Sequence, residues 1–186
     1  MPNRTRLSWV ALASILACAG CGSGSPMRYI TLDMTASGLS QSVNIEVDRF
    51  DVAEDIQRSE IMIVAGATEM VPYAHAVWTA SLAELVQEKL EAEFGEAVEG
   101  RPNFVLSGTV RSFEQVDTDA GPVAVVRIEA RLRRSDMSRY EKPLLDQAYE
   151  AREPIAKEEP SVVAAALSRG LERIAATILD RATTIK

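Results

Sequence analysis

Apolar and polar positions along this chain fall into two rhythms, one of period two and one near 3.6, and their order predicts the elements. Val43, Ile45 and Val47 alternate with Asn44, Glu46 and Asp48, as in a half-buried strand that ends near Phe50. Arg28–Asp33 reads as a short strand before it, and Glu60–Ala65 (EIMIVA) as a buried one after it. Val71-Pro72-Tyr73 reads as a connection. A helical stripe of Trp78, Leu82, Leu85, Val86, Leu90 and Phe94 follows, stopped by Gly95 at a C-cap position.

The second half repeats this order. Asn103–Phe113 predicts a strand with Gly108 at a bulge or close contact. Asp119-Ala120-Gly121-Pro122 is a turn signal. In Val123–Arg133, Ala124, Val126, Ile128, Ala130 and Leu132 face one way, and Arg127, Glu129, Arg131 and Arg133 the other. Ser135–Pro143 turns the chain, and Leu144–Arg152 returns it as a strand. Pro160 opens a last helix at a favourable first position. Its stripe is Val163, Ala166, Leu167, Leu171, Ile174, Ile178 and Leu179, and it runs to about Ala182. Ser168-Arg169-Gly170 reads as ordinary helix surface. The expected fold is α+β: a two-layer sandwich with a mainly antiparallel sheet of five to six strands and two amphipathic helices on one face.

The first two dozen residues follow another logic. Arg4 and Arg6 head an uncharged run, Leu7–Ala17, which ends in Cys18-Ala19-Gly20-Cys21 and a Gly/Ser tract to Pro26. As a helix the run spans about 17 Å, little more than half of a ~30 Å hydrocarbon core, so it cannot cross a bilayer. Basic head, apolar stretch and small-residue end are the parts of a secretory signal. With a cysteine at its end, the segment resembles a bacterial lipoprotein signal, cut just before a lipid-modified cysteine. Cys21 fits that pattern through Ala19 and Gly20 and through the flexible tract after it. Cys18, with Ile15 three before it and Ala17 next to it, is the alternative. Two further readings are an ordinary secretory signal and a CxxC redox or metal pair, although that motif belongs inside a folded domain.

By the same resemblance, Cys21 would carry a diacylglyceryl group and an N-acyl chain, and no other cofactor is expected. Two or more chains hold a protein stably on a membrane, where one does so only marginally. The residue after either cysteine is Gly22 or Ala19, not Asp. By resemblance to sorted lipoproteins of Gram-negative bacteria, this implies the periplasmic face of the outer membrane. The expected organisation is a signal over residues 1–20, a lipidated tether over 21–27 and one periplasmic domain over 28–186.

Charge narrows the function classes. Residues 1–20 hold two of the 20 basic residues and no acid, so the remainder carries 18 basic against 27 acidic, a formal −9. That balance argues against nucleic acid and against docking on anionic lipid. The single histidine, His75, cannot build a zinc site without further His or Cys ligands. No G-x-S-x-G elbow or G-x-x-x-x-G-K-[ST] phosphate loop occurs. Glu158-Glu159 precedes the last helix, where acids favour its positive end. Arg127, Arg131 and Arg133, with Arg134, form a row that would suit an anionic headgroup or a protein partner. Glu129 lies within it, and alternating charge is the ordinary wet face of a sheet. Tyr73 and Trp78 are the most suggestive aromatics for a partner, with core packing the first expectation for Trp78.

The order of these features resembles the ABC-type transport auxiliary lipoproteins, the group with the PqiC-like members of MCE-associated lipid transport. The resemblance rests on Arg28-Tyr29-Ile30-Thr31-Leu32 soon after the cysteine, and on Val43–Phe50 running into Asp51-Val52-Ala53-Glu54. It rests further on Tyr73 followed by Trp78-Thr79-Ala80-Ser81-Leu82, on Val105–Val110, and on Glu150–Ile155 before the helix Val162–Leu179. Val77 rather than Arg precedes Trp78, and one tyrosine, Tyr29, stands where a pair is common. The resemblance implies a non-enzymatic role beside an inner-membrane permease or ABC component and a periplasmic MCE protein. It points to the outer-membrane end of a lipid path, with sister copies in a ring as a further arrangement. Competing classes are an envelope-assembly lipoprotein for lipopolysaccharide or outer-membrane proteins, and a periplasmic enzyme working with carboxylates.

Overall fold

The computed structural model describes residues 25–185, so Cys18 and Cys21 lie outside the described residues. Seven strands and two helices follow in the order β1 (Arg28–Ile30), β2 (Asn44–Val52), β3 (Glu60–Ala65), β4 (Glu69–Trp78), α1 (Leu82–Phe94), β5 (Asn103–Thr118), β6 (Gly121–Arg134), β7 (Leu145–Pro154) and α2 (Pro160–Thr184). One sheet takes all seven strands, β1-β4-β3-β5-β6-β7, with β2 also on β5. Both helices pack on one of its faces: α1 lies over β2, α2 crosses β5, β6 and β7, and the helices touch each other.

The α+β class and the one-sided helix layer agree with expectation, but the sheet is larger than expected and mixed. β1 pairs β4, and β2 and β3 each pair β5, all in parallel; the other three pairings are antiparallel. The cause is the length of β5. Its 16 residues give one side long enough for β2 beside Asn103–Val110 and β3 beside Gln115–Val116. β2 and β3 therefore lie end to end along the same strand.

A second correction concerns Glu69–Trp78, which is a strand and not a connection leading into a helix. Pro72 hides it. A proline is tolerated in a strand where its missing N–H faces no partner. β1 covers only Ala76–Trp78 of β4, which leaves Pro72 on an open edge. Four residues, Tyr73–Ala76, stand opposite Ile61 in the register shift between β3 and β4, and within them His75 takes a left-handed φ of 56°. Trp78 consequently ends a strand, and the helix starts at Leu82. Ser81 caps it in a reciprocal capping box with Glu84.

The core lies between the sheet and the helices. All seven stripe positions of α2 are buried, as is the predicted inner face of β6 from Ala124 to Leu132. Gly108 is a close contact, since a Cβ there would meet the Glu129 carbonyl and the Phe50 ring. Ser168 and Gly170 are not helix surface. Ser168 is buried and its hydroxyl accepts from the Asp33 N–H at 3.0 Å, while a Cβ on Gly170 would come within 2.9 Å of a Val126 methyl. Only Arg169 of the three faces solvent.

Candidate functional site

The face of the sheet away from the helices is open, and its register divides it in two. Toward the ends where β2 and β5 begin, it is a lattice of charges. Arg111 pairs with Glu129 at 2.8 Å, Arg133 with Asp48 at 3.4 Å and Arg131 with Asp146 at 3.7 Å. Arg152 pairs with Glu150 and Arg49 with Asp51 along their own strands. Arg127 is exposed and makes no ion pair among the described residues. Exposed pairs of this kind are each worth at most about 1 kcal/mol, so the lattice is a solvated surface open to exchange partners. Arg127, Arg131 and Arg133 thus share one face with interleaved acids, whereas Arg134 has the opposite parity on β6 and pairs with Asp136.

Tyr73 and Trp78 are not side by side on a surface. Trp78 is 5 % exposed and tilts against Phe113 at 5.8 Å between ring centres. Its role in the fold is core packing. Tyr73 is half-buried, and its hydroxyl donates to Gln115 Oε1. Burial, followed by the charges of Glu158 and Asp117, pushes its hydroxyl up to about 12, so it stays a donor at neutral pH.

Two shallow clefts line the outer side of β2, which pairs with β5 alone. One, of about 600 Å³, lies between the start of β2 and the end of α1 and is edged by Glu46, Glu91 and Glu96. The other, of about 830 Å³, lies between the end of β2 and the start of α1, beside Arg49, Arg58 and Ser81. Between them runs a strand edge with unpaired backbone groups, the form of surface that can take an added strand. Sequence reading did not find this edge, because edge and interior strands alternate alike.

Buried charged groups complete the picture. Lys89 is fully buried and donates to Thr35 O at 2.7 Å, Glu93 Oε1 at 2.7 Å and Glu172 Oε1 at 2.9 Å, tying both helices to the segment before β2. Glu114 lies in the open face beside the β5 bulge, accepts from the Phe113 N–H and is pushed up by burial. The neighbouring charge that Glu114 feels is Asp55, and neither carboxyl lines the two clefts beside β2. His75 is exposed and stands alone, and no three metal-ligating side chains converge among the described residues. Glu159 sits at the N-cap of α2, where Lys157 and Arg28 hold its carboxyl below the usual range. No described helix is long and apolar enough to cross a membrane.

Comparison with solved structures shows that this fold is shared. The chain superposes with a TM-score of 0.65 on a protein described as uncharacterized, at 14 % identity, covering 84 % of this chain and 99 % of the other. A protein of the DUF330 family from Xanthomonas campestris gives a TM-score of 0.64 at 17 % identity, covering 84 % and 94 %. No curated protein matches significantly. The family model described as the ABC-type transport auxiliary lipoprotein component matches residues 31–179, from the end of β1 to the last turns of α2. With the match running through every strand after β1 and both helices, the chain belongs to the ABC-type transport auxiliary lipoprotein family.

Proposed function

We propose that this protein is an outer-membrane-anchored, non-enzymatic auxiliary component of an ABC- or MCE-type lipid transport system, docking the periplasmic MCE tunnel to the outer membrane. The observation that carries the reading is a transport-auxiliary domain, matched over residues 31–179, that begins ten residues after a lipoprotein-type cysteine, Cys21. The domain's own chemistry supports it. Its open face is a lattice of paired charges and its clefts are shallow, which suits a surface that meets proteins better than one that turns over a substrate.

The fold also has a polarity. β1 begins, and β3, β5 and β7 end, at one end of the sheet; β2 and β5 begin at the other, with the end of α1. A lipid on Cys21 holds the first end at the membrane. The second end, with the acidic cleft beside β2, is then offered to the periplasmic partner, where an extended basic segment would complement Glu46, Glu91 and Glu96.

Replacing Cys21 with Ala is expected to move the protein from the membrane to the soluble fraction. Retention on the membrane would transfer the anchor to Cys18 or end the lipoprotein reading. Purification of tagged, detergent-solubilised protein is expected to bring down an MCE protein and permease components. Recovery of outer-membrane assembly proteins instead would sink the transport role.

A further inference from the structure

The open face of the sheet is not charged throughout. At the end where the tether joins β1, register pairing lines up one apolar residue from each of five strands. Met70 pairs with Val64, Val64 with Val116, Val116 with Val123 and Val123 with Pro154. Partners in a ladder point to the same side, so these five form one continuous row across β4, β3, β5, β6 and β7. Met70 and Pro154 are exposed and the three valines are partly so. Pro72, the next residue inward on β4, is exposed and widens the row at one end, whereas its partner Met62 is buried. On the same strand end, Met27 is 51 % and Tyr29 72 % exposed, among the most exposed large apolar side chains described.

We infer that this apolar row is a membrane-docking surface that rests on a neutral phospholipid bilayer. The inference rests on the reading of Cys21 as the lipid anchor. Arg28 is seven residues beyond Cys21, so the extended chain between them reaches at most about 25 Å. The ion pair of Arg28 with Glu159 at 3.3 Å keeps the start of β1 beside the entry to α2, at the end of the sheet that carries the row. A bilayer holding the lipid is therefore the nearest large apolar phase to this exposed and partly exposed apolar row.

Charge selects the kind of bilayer. Glu69, Asp117, Asp119 and Glu158 surround this end, while its cations are paired: Arg28 and Lys157 with Glu159, and Arg152, two residues along β7 from Pro154, with Glu150. Such a rim repels anionic headgroups and leaves zwitterionic ones acceptable. The acids at the hairpin tips also keep the domain shallow, with the row at the headgroup boundary.

The test uses the lipidated mature protein in phosphatidylcholine vesicles, with a nitroxide on a single introduced cysteine. Val123→Cys samples the row. Arg127→Cys lies on the same face of the same strand, about 13 Å further on at 3.3 Å per residue. Met70→Cys is the second row position, should Val123→Cys fail to fold. The row labels are expected to relax several-fold more with oxygen, which concentrates in lipid, than with an aqueous nickel complex; the Arg127→Cys label should show the reverse. A row label as open to the aqueous reagent as Arg127→Cys overturns the inference while leaving the anchor intact. Spin–spin broadening at the row also overturns it, in favour of a second copy. Failure of the protein to float with the vesicles overturns the anchor, and the inference with it.

Discussion

Replacing Lys89 with methionine keeps an unbranched side chain one atom shorter and removes the charge from a fully buried polar cluster of the domain. The Lys89 and Glu93 side chains are both fully excluded from solvent, and Glu172 is 27 % exposed. Burial pushes the Glu93 carboxyl up, but the bonds from Lys89 and Ser37 outweigh it and hold the group below its ordinary value. Without Lys89, the carboxylate keeps only Ser37. Leaving one partner of a buried pair uncompensated costs about 3–5 kcal/mol. In a domain of this size that lowers the melting temperature by roughly 6–20 °C. The assay is thermal and urea unfolding in the Cys21→Ala background, which is free of lipid. The double variant Lys89→Met/Glu93→Leu, which removes the whole pair, should recover most of the loss.

The pH dependence gives a second readout. A depressed Glu93 contributes stability that is present above the ordinary carboxylate range and lost as pH falls through its folded value. In Lys89→Met the sign reverses, because Glu93 then prefers its proton, so the variant should gain stability as pH falls. Lys89 itself is held above its ordinary value, so its contribution disappears only under strongly alkaline conditions. A single variant that costs less than about 1 kcal/mol and keeps the native acid limb would refute the reasoning.

Three further outcomes follow from packing and charge. Gly108→Ala should cost about 1–3 kcal/mol or more in chemical denaturation, because its Cβ meets the Glu129 carbonyl and comes within 2.7 Å of the Phe50 ring. Trp78→Ala should cost about 3–5 kcal/mol and abolish the near-ultraviolet dichroism of the Trp78–Phe113 contact; an unchanged melting curve would contradict its burial. Glu114→Gln should raise stability at neutral pH. With its folded value raised by burial, Glu114 favours the fold fully below the ordinary carboxylate range, and that contribution is lost as pH rises through the folded value. Melts from acid to neutral pH should show this loss in the native protein and not in the variant.

Local rhythm carried much of the fold. The alternation in β6 and the stripe of α2 put each of the residues they named on the inner side, because each depends on a single repeating geometry. β4 was obscured by Pro72 and by the register shift around His75, although the capping box of Ser81 and Glu84 marks the true start of α1. Ser168 and Gly170 read as surface because their neighbours, Asp33 and Val126, are far away in the chain. The candidate site divides in the same way. The arginine row was visible as a strand face, whereas the acidic partners from β2 and β7 were not.

By itself, the sequence determined the signal-like segment ending at Cys21, the two amphipathic helices, most of the strands and a family resemblance that the family match bears out. These are properties of contiguous residues, written in spacing and composition. Tertiary structure decided that β2 and β3 share one side of β5, that Lys89 reaches Glu172 across 83 positions, and that five apolar residues from five strands form one row. Pairing register is set by the packing of distant segments, and side chains of the same polarity follow the same period on either edge of a strand. No local pattern records which strand will lie alongside, so the division of the open face into an apolar and a charged half exists only once the sheet is assembled.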